Sequence, residues 1–172
     1  MTNFNWGDDL IYSRDLIARH EELTEEYDSL MEDVESAEDE LNEFIKEYGT
    51  GDYDEDQEKE FALLNEQLDN ANDALNDFNS SYDKDELETL TEVIRQAEDC
   101  SDWIHGEGLI HENYFTQYIE DLVNDCYEFP EEFNSKKWPW THMNMDWDAA
   151  AEEAKQDYTE VTVDGHTYYI KA

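Results

Sequence analysis

The chain has 172 residues, 49 of them Asp or Glu against 10 Lys or Arg, giving a formal net charge of −39 and an isoelectric point near 4.1. That balance excludes direct binding to nucleic acid or to an anionic membrane surface, since both would repel it. It does not exclude folding, because 38% hydrophobic and 13% aromatic residues with only 6 Gly and 2 Pro supply core material that disordered acidic chains lack.

The segment from Met1 to Asp9 has no basic region followed by an apolar run, so no secretory signal is expected. From Leu16 an apolar or semi-apolar side chain recurs at alternating steps of four and three: Leu16, His20, Leu23, Tyr27, Leu30, Val34, Ala37, Leu41, Phe44, Tyr48. This 3.5-residue spacing puts them on one seam of a single long helix, on the order of 50 Å in length, with Ser13 as N-cap and Gly49 as stop. After the polar stretch Gly49 to Glu55 the rhythm resumes at Phe61, Leu64, Leu68, Ala71, Leu75, Phe78 and Tyr82. Two seams joined by a short loop predict an antiparallel helical hairpin whose seam also meets a third helix or a second subunit.

A third helix is expected from Asp83, with Leu87, Leu90, Ile94 and Ala97 as its apolar stripe leading to Trp103 and Ile104, and with Gly106 and Gly108 ending it. A fourth begins near Glu112, turns Phe115, Tyr118, Ile119, Leu122 and Cys126 inward, and is closed by Pro130. The run from Asn134 to His142 is a loop that interrupts the acidity and offers Trp138 and Trp140 for exposure. Asp146 caps a short helix from Trp147 to Tyr158, with Ala150, Ala151 and Ala154 inward. The pair Asp164-Gly165 between alternating β-formers predicts a terminal hairpin.

The expected fold is mainly α with a small α+β C-terminal part: a long coiled-coil-like helical hairpin over residues 1–84, then short helices and a β-hairpin over 85–172. No apolar stretch approaches the roughly 20 residues of a membrane span. Cys100 and Cys126 fit free thiols in a reducing cytoplasm.

The carboxylates are placed against ordinary helix design. On the first helix Glu21, Glu22, Glu25, Glu26, Asp28, Glu32, Asp33, Glu35, Glu38, Asp39, Glu40, Glu43 and Glu47 fill most non-seam positions, with Lys46 the basic residue among them. The second helix repeats this with Glu58, Glu60, Glu66, Asp69, Asp73 and Asp77. Soluble helices gain about 0.2–0.5 kcal/mol from each Glu–Lys pair four residues apart and lose as much from like pairs. Here Glu21/Glu25, Glu22/Glu26, Glu35/Asp39 and Asp39/Glu43 are all like pairs. Tolerated repulsion points to an external partner with a basic surface, and most such surfaces hold DNA, whose duplex carries one charge per roughly 1.7 Å. A salt-adapted surface would share this composition.

Motifs of catalysis and metal binding fail in detail. Asp52, Asp54 and Asp56 match the start of a calcium loop, but Gln57 stands where glycine is required and Leu63 where the bidentate Glu belongs. Cys100, His105, His111 and Cys126 have no zinc-site spacing, and His111-Glu112 lacks the second histidine of a zincin helix. No nucleophile motif, phosphate loop or dinucleotide fingerprint is present, so no enzyme activity and no cofactor are expected.

Three stretches carry a resemblance: Tyr12 to Leu23, Gly108 to Tyr118, and Trp138-Pro139 with Met145 to Ala151 and Asp157 to Tyr169. They resemble the small bacteriophage antirestriction proteins, and the C-terminal part is similar to the last module of the ArdA-type DNA mimics. The resemblance covers most of the chain outside the acidic hairpin, whose long heptad run departs from the family pattern. It implies an acidic, elongated, dimeric protein that occupies the DNA groove of type I restriction–modification enzymes. The combined expectation is a non-enzymatic DNA mimic in the host cytoplasm, with the nineteen carboxylates as its phosphate-like array. A CRISPR effector or another DNA-binding protein is an alternative target. A structural coiled-coil protein or an acidic adaptor for a basic partner is the alternative class.

Overall fold

The computed structural model describes residues 4–135 and 137–172, leaving aside the side chains of 133 and 134. The first three residues of the N-terminal segment and Lys136 of the aromatic loop lie outside the described residues. The elements in chain order are β1 (Leu10–Tyr12), α1 (Ser13–Tyr48), α2 (Glu55–Asn79), α3 (Tyr82–Ala97), β2 (Gly108–His111), α4 (Glu112–Cys126), α5 (Glu131–Asn134), α6 (Trp147–Ala154), β3 (Tyr158–Val163) and β4 (His166–Lys171). The protein is mainly α with a small antiparallel sheet. It divides into two compact units, residues 18–90 and residues 1–17 with 91–172, where the sequence suggested a break after residue 84.

In the 18–90 unit the hairpin forms because both helices have strong stop and start signals. Gly49 takes the left-handed conformation (φ 81°) and its N–H closes on the Ile45 carbonyl at 2.8 Å, the geometry a glycine just past a helix end adopts most readily. Asp54 then opens α2 through a reciprocal capping box with Gln57, satisfying backbone donors that the first turn leaves orphaned. Phe44 meets Tyr48, Tyr53 and Phe61 at centroid distances of 4.9, 5.3 and 5.8 Å, while Tyr27 meets Phe78 at 5.6 Å. As the α1 partner moves back from residue 44 to 27, the α2 partner moves forward from 61 to 78, which fixes the antiparallel pairing.

Burial along this seam is uneven. Leu23, Phe44 and Phe78 are buried, but Leu30, Val34, Ala37 and Leu41 of α1 and Leu64, Leu68, Ala71 and Leu75 of α2 are only half-buried. The expected third helix accounts for the difference at one end. The first turns of α3 lie against α1, where Arg19 reaches Asp83 and Glu86 and the Lys84 ammonium sits 5.0 Å from the Tyr27 ring. Leu87 and Leu90 are buried there.

In the second unit the sheet has order β1-β2-β4-β3, antiparallel throughout. The expected terminal hairpin is present, with Asp164 and Gly165 both at positive φ (48° and 78°), as a two-residue turn matched to strand twist demands. The strands β1 and β2 escaped the sequence reading, because three or four apolar residues carry no alternation to count. Gly108, expected to end a helix, starts β2 instead; α3 has already ended at Ala97. A Cβ on Gly108 would stand 2.9 Å from Leu10 Cδ1, a contact that a turn of the Leu10 side chain would have to relieve.

One face of the sheet packs on α4 and α6 through Ile110, Phe115, Ile119, Ala151 and Tyr169. The other carries Ile11, Leu109, Val161, Val163, Tyr168 and Ile170, all buried. Two expected inward residues of α4 are corrected: Leu122 and Cys126 are exposed, since the inward stripe runs Phe115, Ile119, Val123 at steps of four. The helix from Trp147 ends at Ala154 rather than Tyr158, which is the first residue of β3. Of the two loop tryptophans expected at the surface, Trp138 is exposed and Trp140 half-buried.

Candidate electrostatic interface

All nineteen carboxylates singled out from the sequence are exposed. The heptad order explains this, because the seam takes two positions in seven and leaves five to solvent. Taken by rows along α1, the position just before every second seam residue from Tyr27 onward is acidic: Glu26, Asp33, Glu40 and Glu47. This row borders α2. Asp33 and Glu40 share one shallow depression between the helices with Gln67 and Asn70, and Glu40, Glu43, Glu47 and Glu60 line the next. The fold thus gathers five of the nineteen along one groove. Glu21, Glu25, Asp28, Glu32, Glu35 and Asp39 occupy rows of α1 away from the seam.

The charge density decides whether this surface is unusual. Residues 26–47 and 58–79 pair along the hairpin and carry ten and six carboxylates against Lys46 and Lys59. The net of −14 is spread over 22 residues of each helix, about 33 Å at 1.5 Å per residue. That is about one charge per 2.4 Å of hairpin, against roughly 1.7 Å for duplex DNA. The hairpin therefore reaches about two-thirds of the linear charge density of a double helix.

One member of the set is neutralised. Glu22 Oε2 accepts from Arg19 Nη1 at 2.8 Å, and that hydrogen bond, with the nearby positive charge, holds its carboxyl below the ordinary range. Among the described residues no lysine or arginine salt bridge reaches the other eighteen. At the turn, a hydrogen bond to Glu47 and the charge of Glu47 raise the Tyr48 hydroxyl above its usual value.

The sequence reading missed the network around Arg19. Its side chain is only 8% exposed and reaches three carboxylates. Nε and Nη2 donate to Glu86 Oε2 at 3.0 and 2.8 Å, and Nη2 also donates to Asp83 Oδ1 at 3.0 Å. Burial opposes the guanidinium charge, but the bonds to Glu22 and Glu86 outweigh it and raise the Arg19 pKa. Glu86 is 3% exposed, and its Oε1 has no hydrogen-bond partner among the described residues. The available signal was Arg19 itself, which with Arg14 is one of two arginines at the start of an acidic helix.

The second unit holds a histidine pair the sequence also left unassigned. His111 is the N-cap of α4 and its Nδ1 accepts from the Asn113 N–H at 3.2 Å. Its ring proton therefore sits on Nε2, which donates to His166 Nδ1 at 3.1 Å. Among the described residues no three His, Cys, Asp or Glu side chains are grouped to hold a metal ion, and no helix is long and apolar enough to cross a membrane. Cys100 is half-buried and Cys126 exposed, both as free thiols.

An acidic helical hairpin joined to a four-stranded antiparallel sheet with helices on one face is the class that fold and surface define. Comparison of the chain with family models, with curated proteins and with solved structures finds no match.

Proposed function

We propose that this protein is a DNA mimic: a non-enzymatic inhibitor that occupies the DNA-binding groove of a defence enzyme, a type I restriction–modification enzyme in the first instance, within the host cytoplasm. The observation that carries the reading is the density of exposed, unneutralised carboxylates along the hairpin, within a factor of about 1.5 of the duplex value. A groove built to hold phosphates would release its own bound anions on taking up this surface, so affinity falls as salt rises. The resemblance of the C-terminal part to the ArdA-type proteins supports the same target class and implies a dimer.

The test is competition between the purified protein and duplex DNA for a type I restriction enzyme across a salt series. Competition that weakens with salt is the expected result. Replacing Glu26, Asp33, Glu40 and Glu47 together by Lys is expected to abolish it while far-UV circular dichroism stays unchanged. Inhibition that survives this reversal would reduce the acidic face to a solvated surface.

The half-buried middle of the hairpin seam favours one second reading. There, another helix covers Leu30 to Leu41, and the chain is an acidic coiled-coil or adaptor protein. Such a protein would bind its basic partner without displacing DNA.

A further inference from the structure

The two histidines of the second unit use every ring-nitrogen lone pair they have. The Asn113 N–H, a backbone donor that cannot become an acceptor, gives to His111 Nδ1 at 3.2 Å, and His111 Nε2–H gives to His166 Nδ1 at 3.1 Å. Two neutral imidazoles carry two hydrogens and two lone pairs between them, and both lone pairs are spent inside the fold. Each proton the pair takes up therefore costs one hydrogen bond.

The surroundings hold both rings in place. His111 is 5% exposed, its ring stands perpendicular to that of Tyr168 with centroids 5.1 Å apart, and its backbone N–H donates to the Asp9 carbonyl at 2.9 Å. Tyr168 in turn donates to the Asp8 carbonyl at 3.3 Å. His166 opens β4 and is half-buried, so it is the ring that solvent reaches. The charged and titratable groups adjoining the pair are Asp8 and Asp9 of the N-terminal segment, Glu112 of α4, Asp164 of the β3–β4 turn and Tyr168, while β3 sets the uncharged Val163 opposite His166. The four carboxylates are exposed. Their charge attracts a proton to the pair, and no bond from them replaces one that the rings lose.

We infer that the His111–His166 pair is a proton-operated latch on α4: a proton taken up at the half-buried ring is read out at the buried one, where it uncaps the helix. The bond to Asn113 is the one that gives way. With the charge on His166 the bond between the rings becomes charge-assisted, about twice as strong as a neutral one, whereas an imidazolium at His111 would stand at the positive end of the α4 dipole. One proton is gained, and only N–H bonds change. His166 ends as the imidazolium and donates from Nδ1 to His111 Nε2, the His111 hydrogen stands on Nδ1 instead of Nε2, and the Asn113 N–H faces another N–H. Since α4 reaches the core through Phe115 and Ile119, uncapping frays its first turn and leaves its packed middle intact. The latch lies wholly in residues 1–17 with 91–172 and stands independently of the DNA-mimic reading.

The experiment follows the full chain, labelled with a nitrogen isotope, by NMR from about pH 8 to pH 5, the range in which an imidazole changes charge. Three changes are expected in a single step: His166 becomes protonated on both nitrogens, His111 exchanges its Nε2–H tautomer for the Nδ1–H one, and amide-exchange protection of Asn113, taken relative to the intrinsic rate at each pH, falls at least about tenfold. H166Q offers an amide oxygen that accepts from His111 Nε2 and takes up no proton in this range. In that variant Asn113 is expected to stay protected where the wild type loses protection. His166 titrating while His111 keeps its Nε2–H and Asn113 stays protected would overturn the latch. H166Q losing protection at the wild-type pH would also overturn it, by placing the switch on His111 alone. Should H166Q fail to fold, the tautomer of His111 in the wild-type titration decides by itself.

Discussion

Replacing Arg19 by Met should be among the most damaging single changes in the 18–90 unit, although it adds apolar volume at a buried site. The guanidinium is the partner of Glu86, whose side chain is 3% exposed and whose Oε1 already lacks a hydrogen bond among the described residues. Removing the cation strands that carboxylate, and breaking a buried pair from one side costs about 3–5 kcal/mol. Glu22 and Asp83, with side chains 64% and 36% exposed, keep water as a substitute and add little. For a chain of this size 1 kcal/mol moves the melting temperature by about 2–4 °C, so a drop of about 6–20 °C is expected. Urea denaturation followed by far-UV circular dichroism gives the free energy directly. The double variant R19M/E86M should recover most of the loss, because two packed apolar side chains replace a buried ion pair at little or no cost. An R19M protein within about 1 kcal/mol of wild type, or a double variant as unstable as R19M, would refute the account of Arg19 as the neutraliser of a buried charge.

The net charge of −39 makes self-repulsion a global cost, so raising NaCl to about 0.5 M should increase the melting temperature; a flat or falling value would show that specific ion pairs outweigh the repulsion. Burial, with the nearby Asp8 and Asp9 charges, pushes the Tyr168 hydroxyl up to about 12. A raised folded-state pKa gives stability that is complete below the unfolded value near 10 and is lost as pH rises from there to about 12. Alkaline unfolding should begin in that window, and Y168F should shift it upward; identical alkaline profiles would remove Tyr168 as the cause. Gln96 accepts from the Thr162 N–H at 3.0 Å and donates to its carbonyl at 3.3 Å, closing the edge of β3 as a neighbouring strand would. Q96L should cost about 1 kcal/mol and increase concentration-dependent aggregation through the opened edge, read by light scattering; unchanged scattering would mean the edge is protected by other means.

The long helices were legible in the sequence because their signals are local and repeated. A 3.5-residue apolar rhythm sustained over ten positions, a glycine stop and a capping box each act within one turn of the chain, and each carboxylate off the rhythm had to face solvent. The Asp164-Gly165 turn was legible for the same reason, since two positive φ angles in a row select its residues. The array of exposed acids therefore followed from the primary structure once the period was known.

What required the fold was every feature made by residues far apart in the chain. Leu10 to Tyr12 become a strand because Gly108 to His111 lie beside them, a pairing across almost one hundred positions with no local trace. Glu86 reads as one acid among 49, and only the approach of α3 to Arg19 makes it a buried charge. Likewise the His111 and His166 rings meet at 3.1 Å only because β2 and β4 are neighbours. Helix periodicity and turn geometry are properties of a few adjacent dihedral angles, which a sequence specifies directly. Desolvation and strand pairing depend on which distant surfaces exclude water together, and that is settled only when the chain has packed.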